Sequence, residues 1–211
     1  MRNTRTSMAR RTALVAATVT AGLVLAACGG SSDSGSGHDS HTSGSSSSSP
    51  SSSTAAHNAQ DVSFAQGMIP HHQQALEMAK LAAGRASSAK VKDLAARIEK
   101  AQDPEIRTMS GWLKSWGQSV PSAMPGMDHS AHSGMAGMMD TEDMDKLAKA
   151  SGAEFDTMFL TMMIEHHKGA VQMAGTEKSK GAYAPATTMA DDIITGQTAE
   201  IKEMNQLLGK S

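Results

Sequence analysis

The segment "MIPHHQQALEMA", residues 68–79, returns later in the chain as "MIEHHKGAVQMA", residues 163–174. At the same offset of 95, residues 61–113 align with residues 156–208 without a gap, and 17 of the 53 aligned positions are identical. An internal repeat of this length indicates that one structural unit occurs twice. The two copies therefore determine the architecture of the domain.

Each repeat contains two amphipathic helical patterns. In the first copy, Phe64, Met68 and Ala75 keep helical spacing, and Ile98 and Met109 do so further on. Helix-breaking residues divide the two patterns, so each repeat should form a helical hairpin. A single hairpin cannot bury its apolar stripe, and two hairpins should pack as a four-helix bundle. The dividing residues are Gly84, Ser87 and Ser88 in the first copy, and Gly181 and Pro185 in the second.

Two features interrupt this pattern. Pro70 lies within the first helical run, where a proline removes a backbone hydrogen bond at a cost of roughly 3 kcal/mol. It predicts a kink in the first helix, or a helix that begins at Pro70. A Met-rich linker, residues 117–140, separates the repeats. A short helix from Thr141 to Ala150 should follow it, with Asp140 or Thr141 as its cap and Gly152 as its end.

The N-terminal residues have the pattern of an export signal, because four arginines precede an apolar run that ends in "LAAC". That run stops at Cys28, as in a bacterial lipoprotein signal. We therefore expect residues 1–28 to be a signal peptide and Cys28 to be lipidated, with an uncleaved anchor as the alternative. Residues 29–57, rich in Ser and Gly, should form a disordered tether. Residues 58–209 would then form the bundle outside the cytoplasm.

Composition excludes several classes of function. Without the four leader arginines, 15 Lys and Arg face 21 Asp and Glu, and a formal charge of −6 does not suit nucleic-acid binding. The single cysteine leaves no internal disulfide. There is no Gly-rich phosphate loop, no H-E-x-x-H and no G-x-S-x-G motif. We predict that the protein is not an enzyme, with a metal oxidase as the less favoured alternative.

The paired histidines are the candidate site. At 100° per residue, His71 and His72 fall on either side of the apolar stripe that contains Met68, so each should lean toward a different neighbouring helix. The second copy repeats this arrangement. These histidines could be core residues that are hydrogen-bonded to Glu105, Gln102 and their repeats. A metal site is the competing interpretation, since all four histidines follow a methionine by three or four residues.

The donor atoms favour copper over iron. A ferritin-like di-iron centre needs inward glutamates and Glu-x-x-His pairs, whereas here the residue three positions before each histidine is Met or Ile. Thioether and imidazole ligands suit Cu(I), and histidine also binds Cu(II). The candidate ligands on the helices are His71, His72, His166, His167, Met68, Met163, Met78, Met173, Met109, Met204, Glu105 and Glu200.

The linker favours the same chemistry. Its methionines lie among almost no other apolar side chains, so core packing does not easily explain them. Either the segment covers the bundle as a lid, or its spaced thioethers and histidines form a flexible site for a soft metal ion. The linker candidates are Met124, Met127, His129, His132, Met135, Met138 and Met139.

The blocks "FAQGMIPHHQQALEMA" and "FDTMFLTMMIEHHKGAVQMA", with "PEIRTMSGWL" and "GMMDTEDMDKLAKASGAEFD", resemble the family called domain of unknown function 305 over about residues 58–209. The resemblance implies a ferritin-like four-helix bundle that is exported, often as a lipoprotein. Some members are implicated in copper binding and copper resistance. The resemblance implies metal roles for Met68, His71, His72, Met163, His166 and His167, and allows one for the Met/His linker.

The sequence thus predicts an extracytoplasmic, lipid-anchored protein that buffers, sequesters or hands on copper, with Cu(I) preferred and Cu(II) as a second state. Its expected partners are the metal ion, the membrane through the lipid anchor, and a copper-handling protein that the sequence does not name. Nucleic acid is excluded. A ferritin-like metal oxidase, which would consume O2, and a metal-free cell-envelope interaction module are the alternatives.

Overall fold

The computed structural model describes residues 56–122 and 135–210. No strand occurs within these two ranges, and the all-α prediction is confirmed. The five helices are α1 (Ala59–Arg85), α2 (Ala89–Ser115), α3 (Thr141–Lys149), α4 (Gly152–Lys180) and α5 (Ala184–Leu207). The predictions for the signal peptide, for Cys28, for nearly all of the tether, and for Met124, Met127, His129 and His132 lie outside the described residues.

The four long helices pack as two hairpins, one for each repeat. Helix α1 lies against α2, α4 lies against α5, and α1 also packs along α4. Helices α2 and α5 make only sparse contact, so the bundle is more open on that side. The short α3 contacts α1 and α4. In the described ranges, none of the helices combines the length and apolar character needed to cross a membrane.

The start of the first helix corrects the interpretation of two residues. Helix α1 begins well before Pro70 and runs through it, because a capping box between Asn58 and Asp61 satisfies the first backbone N–H groups. It also continues past Gly84 to Arg85, so Gly84 does not end it. The kink expected at Pro70 remains a prediction.

The short helix agrees with its predicted start and differs at its end. Asp140 caps α3, and its carboxylate accepts the backbone N–H of Asp143 at 2.8 Å. The helix ends at Lys149, one residue before the predicted Ala150, and Gly152 does not close it. Gly152 is the first residue of α4 instead, and its φ of 65° lets the chain turn directly from one helix into the next.

Two aspartates at equivalent repeat positions join the hairpins. Asp61 on α1 accepts backbone N–H groups of residues 182–183, in the turn between α4 and α5. Asp156 on α4 accepts those of residues 87–88, in the turn between α1 and α2. Each aspartate therefore caps backbone donors of the other repeat.

A buried carboxyl pair lies beside the first of these caps. Glu177 is fully buried next to Asp61, and burial, together with the negative charge of Asp61, raises the pKa of Glu177 to about 7. Folded Glu177 holds its proton more tightly than the unfolded chain, where the ordinary value is 4.5. The stabilisation that follows from this raised pKa is therefore fully present below pH 4.5 and is lost as the pH rises through about 7.

The free energy of unfolding of the wild type should fall as the pH rises from 4.5, the ordinary glutamate pKa, to about 7. Glu177→Gln is expected to show a smaller fall over the same range. Glutamine stays neutral and can still donate a hydrogen bond to Asp61. Urea unfolding at a series of pH values measures the effect, with the exposed Glu154→Gln as a control on α4. Parallel pH profiles for the wild type and Glu177→Gln would contradict the prediction.

Candidate metal centre

His71 and His166 stack against each other where α1 and α4 meet. Their ring centroids are 3.8 Å apart, with 38° between the ring planes, and both side chains are fully buried. Nε2 of His71 donates to the carbonyl oxygen of Ala136 at 3.3 Å. Nδ1 of His71 and both nitrogens of His166 find no partner among the described residues. This stacked pair therefore presents three ring nitrogens without hydrogen bonds.

Burial keeps both stacked rings neutral. The pKa of His71 is lowered to about 3, mainly by burial and in addition by the nearby His72 and His167. The pKa of His166 is also far below its usual value, because the ring is enclosed and three other histidines lie close to it. A neutral imidazole has the free lone pair that binds a metal ion. The pair can therefore act as a ligand at neutral pH without losing a proton first.

The second histidine of each repeat is held by a glutamate on the neighbouring helix. Nε2 of His72 lies 2.7 Å from Oε2 of Glu105, and Nε2 of His167 lies 2.7 Å from Oε2 of Glu200. An ionised carboxylate only accepts, so Nε2 carries a proton in both rings. Their Nδ1 atoms have no partner within the described ranges. Metal-binding histidines commonly have this arrangement, in which a carboxylate orients the ring.

The two histidines of a repeat point to different helices, as the helical wheel predicts. His71 meets α4, and His72 meets α2. The core-residue interpretation also expected hydrogen bonds to Gln102 and its repeat Gln197. Neither the nitrogen nor the oxygen of the Gln102 amide has a partner in the described part of the chain. Within the described ranges, the side chains that hydrogen-bond to the paired histidines are those of Glu105 and Glu200.

Residues 135–140, the described end of the linker, form a lid on the stacked pair. The amide of Gln74 donates to the carbonyl of Met139 and accepts its N–H, both at 2.8 Å. Gly169 permits the close approach of the lid to α4, because a Cβ at this position would overlap the carbonyl of Ala136. Of the two interpretations of the linker, this part fits the lid.

Two methionine sulfurs approach the same region. Sδ of Met173 on α4 and Sδ of Met135 in the lid lie 3.7 and 3.8 Å from the point where a Cβ on Gly67 would stand. Gly67 precedes His71 by one helical turn and lies on the same face of α1. A thioether from the lid and one from α4 therefore lie next to Gly67, one helical turn from His71.

Six of the other described methionines predicted as ligands belong to the apolar core. One of them is Met139, which is buried within the lid, whereas its neighbour Met138 is half-buried and lies outside the core clusters. Packing accounts for these positions, since methionine fills irregular gaps between helices. The fully buried members are Met68, Met78, Met109, Met163 and Met204.

In residues 56–122 and 135–210, no three side chains of His, Cys, Asp or Glu are grouped so that they could hold a metal ion together. The nitrogen donors occur as one stacked pair and two separate rings held by carboxylates. Such a set does not suit a hard metal ion that needs several oxygen and nitrogen ligands. It fits a soft ion that accepts imidazole with thioether.

Residues 61–208 match the family model described as domain of unknown function, DUF305. The chain belongs to the DUF305 family. A DUF305 protein from Streptomyces coelicolor that is described as secreted shares 32% identity and a TM-score of 0.64, over 72% of this chain and 93% of that one. A DUF305 fragment from Deinococcus radiodurans shares 30% identity and a TM-score of 0.64, over 73% and 98% of the two chains.

Solved structures of CopM are also similar to this DUF305 chain. The Cu(I)-bound form shares 36% identity and a TM-score of 0.58, over 70% of this chain and 94% of CopM. The Cu(II)-bound form shares 38% identity and a TM-score of 0.59 over the same fractions. No protein of curated function matches the sequence. The family resemblance inferred from the paired-histidine blocks is confirmed.

Sequence reasoning missed the two residues that seat the lid. Gln74 and Gly169 are equivalent positions of the repeat, yet one binds the lid through its amide and the other makes room for it. Their difference within the repeated block, where five of the twelve positions differ, was the available signal. It marks where the two copies have diverged to accept one asymmetric segment.

Proposed function

We propose that this protein binds copper outside the cytoplasm, mainly as Cu(I), and buffers, sequesters or hands on the ion without catalytic turnover. The supporting observation is a set of buried ring nitrogens that have no partner in the described ranges: Nδ1 of all four paired histidines and Nε2 of His166. A buried polar atom without a hydrogen bond costs about 1–3 kcal/mol. Several such atoms in one region are best explained by an ion that they bind.

Similarity to CopM supports the choice of metal. CopM has been crystallised with Cu(I), with Cu(II) and with silver. Silver, like Cu(I), is a soft monovalent ion that suits thioether and imidazole ligands. The donor set of this chain has the same character, because it combines ring nitrogens that have no partner among the described residues with two thioether sulfurs near Gly67, one helical turn from His71.

In this proposal the residues have different roles. His71 and His166 supply the central nitrogen ligands, and Met135 and Met173 supply thioethers from the lid and from α4. His72 and His167 add nitrogens through their Nδ1 atoms. Glu105 and Glu200 act through these two histidines by fixing their protonation and orientation. The linker candidates Met124, Met127, His129 and His132 would supply further thioether and imidazole ligands.

We also propose that the protein is a lipoprotein. The "LAAC" ending of the apolar leader supports lipidation of Cys28. Similarity to the secreted Streptomyces coelicolor protein supports export. Residues 29–57 would tether the bundle to the outer face of the membrane, where a copper-handling protein could reach it.

Anaerobic titration with Cu(I) against a chromophoric chelator tests the copper proposal. The chain from residue 29 onward is expected to remove Cu(I) from the chelator. His71→Ala with His166→Ala should lower its affinity by a factor of ten or more, since two ligands are lost at about 1.4 kcal/mol per factor of ten. His57→Ala is the control, because His57 stacks on Trp116, away from the paired histidines. A wild-type chain that leaves all copper on the chelator would falsify the proposal and favour the metal-free module.

The glutamates provide a finer prediction. Glu105→Gln with Glu200→Gln should weaken Cu(I) binding by about 10- to 100-fold, the usual effect of removing a carboxylate that orients a metal-binding histidine. The same titration measures it, with Glu99→Gln as the control on α2. Unchanged affinity in the double variant would mean that His72 and His167 do not bind the ion.

A further inference from the structure

A methionine-lined groove lies on the outer face of α4. It has a volume of about 480 Å³ and is lined mainly by apolar atoms of Met158 and Met162, with Glu154, Thr157 and Thr161 around them. Both methionines are half-buried and pack in part on the apolar core. Residues four apart on a helix lie about 5–6 Å apart at their Cβ atoms, so both flexible thioethers can reach one ion.

The internal repeat shows that the fold does not require methionine at these positions. The equivalents of Met158 and Met162 in the first copy are Ser63, which is exposed, and Gly67, which is half-buried. The same place on α1 therefore carries a small polar residue and a glycine. The repeat therefore does not account for the two thioethers that α4 presents at the groove.

The methionines of the groove lie one and two helical turns before His166 on the same helix. Met158, Met162 and His166 follow each other at intervals of four residues, and each step of four residues turns the side-chain direction on α4 by only about 40°. The three side chains run from half-buried thioethers to a fully buried ring. Neither nitrogen of that ring has a partner among the residues that the structure describes.

We propose that Met158 and Met162 form an outer site for a soft monovalent metal ion, through which Cu(I) reaches His166. This inference rests on the proposed copper function and adds an entry site to it. Thioether sulfur binds soft ions such as Cu(I) and silver and is a poor ligand for hard divalent ions. The transfer is ligand exchange only, in which thioether bonds to the ion are replaced by imidazole bonds. The carboxylate of Glu154 at the groove supplies negative charge near the incoming cation.

Silver(I) is the probe for the first test, because it is soft and does not change oxidation state during the titration. The full mature chain, labelled with ¹³C at the methionine methyl groups, is titrated with silver(I) and followed by NMR. The methyl signals of Met158 and Met162 are expected to shift. The signal of Met189, a half-buried methionine in a different groove between α2 and α5, should stay in place. Equal shifts for all three would indicate unspecific thioether binding and would overturn the proposal.

Cu(I) loading from the chelator is the second test. Met158→Leu with Met162→Leu keeps volume and apolar character, so the variant should fold, and its loading rate should fall about tenfold, as for a barrier raised by about 1.4 kcal/mol. Its affinity for the buried ion should not change. Met189→Leu should load at the wild-type rate. Wild-type loading by the double variant would overturn the outer site while leaving the copper proposal intact, whereas a wild-type chain that takes up neither metal would overturn both.

Discussion

Asp61→Ala is expected to lower the free energy of unfolding by about 3 kcal/mol. The buried carboxylate of Asp61 accepts the backbone N–H of Asn58 at 2.6 Å and those of Ala182 and Tyr183 at 3.1 and 3.0 Å. Burial alone would raise the pKa of Asp61, but hydrogen bonds from these groups and from Glu177 outweigh it, and the pKa is lowered. Alanine would leave the donors without a partner and remove a helix cap. Urea unfolding followed by circular dichroism measures the loss.

The internal repeat supplies a matched control for this substitution. Asp156→Ala removes the equivalent cap, but Asp156 is half-buried whereas Asp61 is fully buried, and water can replace the lost bonds. We expect a loss of about 1 kcal/mol there, typical of a helix cap. Equal losses at Asp61 and Asp156 would show that burial of the cap is not what makes it strong.

Gly169→Ala is expected to displace the lid from the histidine pair. The added Cβ would overlap the carbonyl of Ala136 and lie 3.0 Å from Cα of Gly137, and the helix backbone on which it stands cannot shift easily. Overpacking of this kind costs about 1–3 kcal/mol. The two hydrogen bonds between Gln74 and Met139 should be lost when the lid is displaced. Hydrogen exchange at the Met139 amide, which should become faster, measures the displacement directly.

Gly175→Ala is the control on the same helix. A Cβ there meets nothing within 4 Å among the described residues, so the change should stabilise the helix by about 0.5–1 kcal/mol. Its Met139 amide should exchange at the wild-type rate. If Gly169→Ala stabilises the protein as Gly175→Ala does, the lid does not lie against α4 at this point.

Much of the architecture follows from the sequence because it depends on local periodicity. Side-chain direction in a helix advances by about 100° per residue, so the apolar stripe and the histidines on either side of it are set once the segment is helical. The repeat then predicts two hairpins, and the donor types predict a soft metal. His71 and His72 indeed face different helices. The pairs of glutamate with histidine also involve residues that the repeat had marked.

The tertiary structure decided the features that depend on contacts between distant segments. A non-helical linker has no period, so only packing shows that residues 135–140 lie on the stacked histidines. The repeat also cannot predict where its own symmetry fails, as at Gln74 and Gly169, because one asymmetric lid contacts two equivalent helices differently. The sequence by itself determined the helices and the donor atoms. Which ring nitrogens are free was decided by the packing of distant segments, because Glu105 on α2, Glu200 on α5 and the lid each occupy one nitrogen and leave the others without a partner in the described structure.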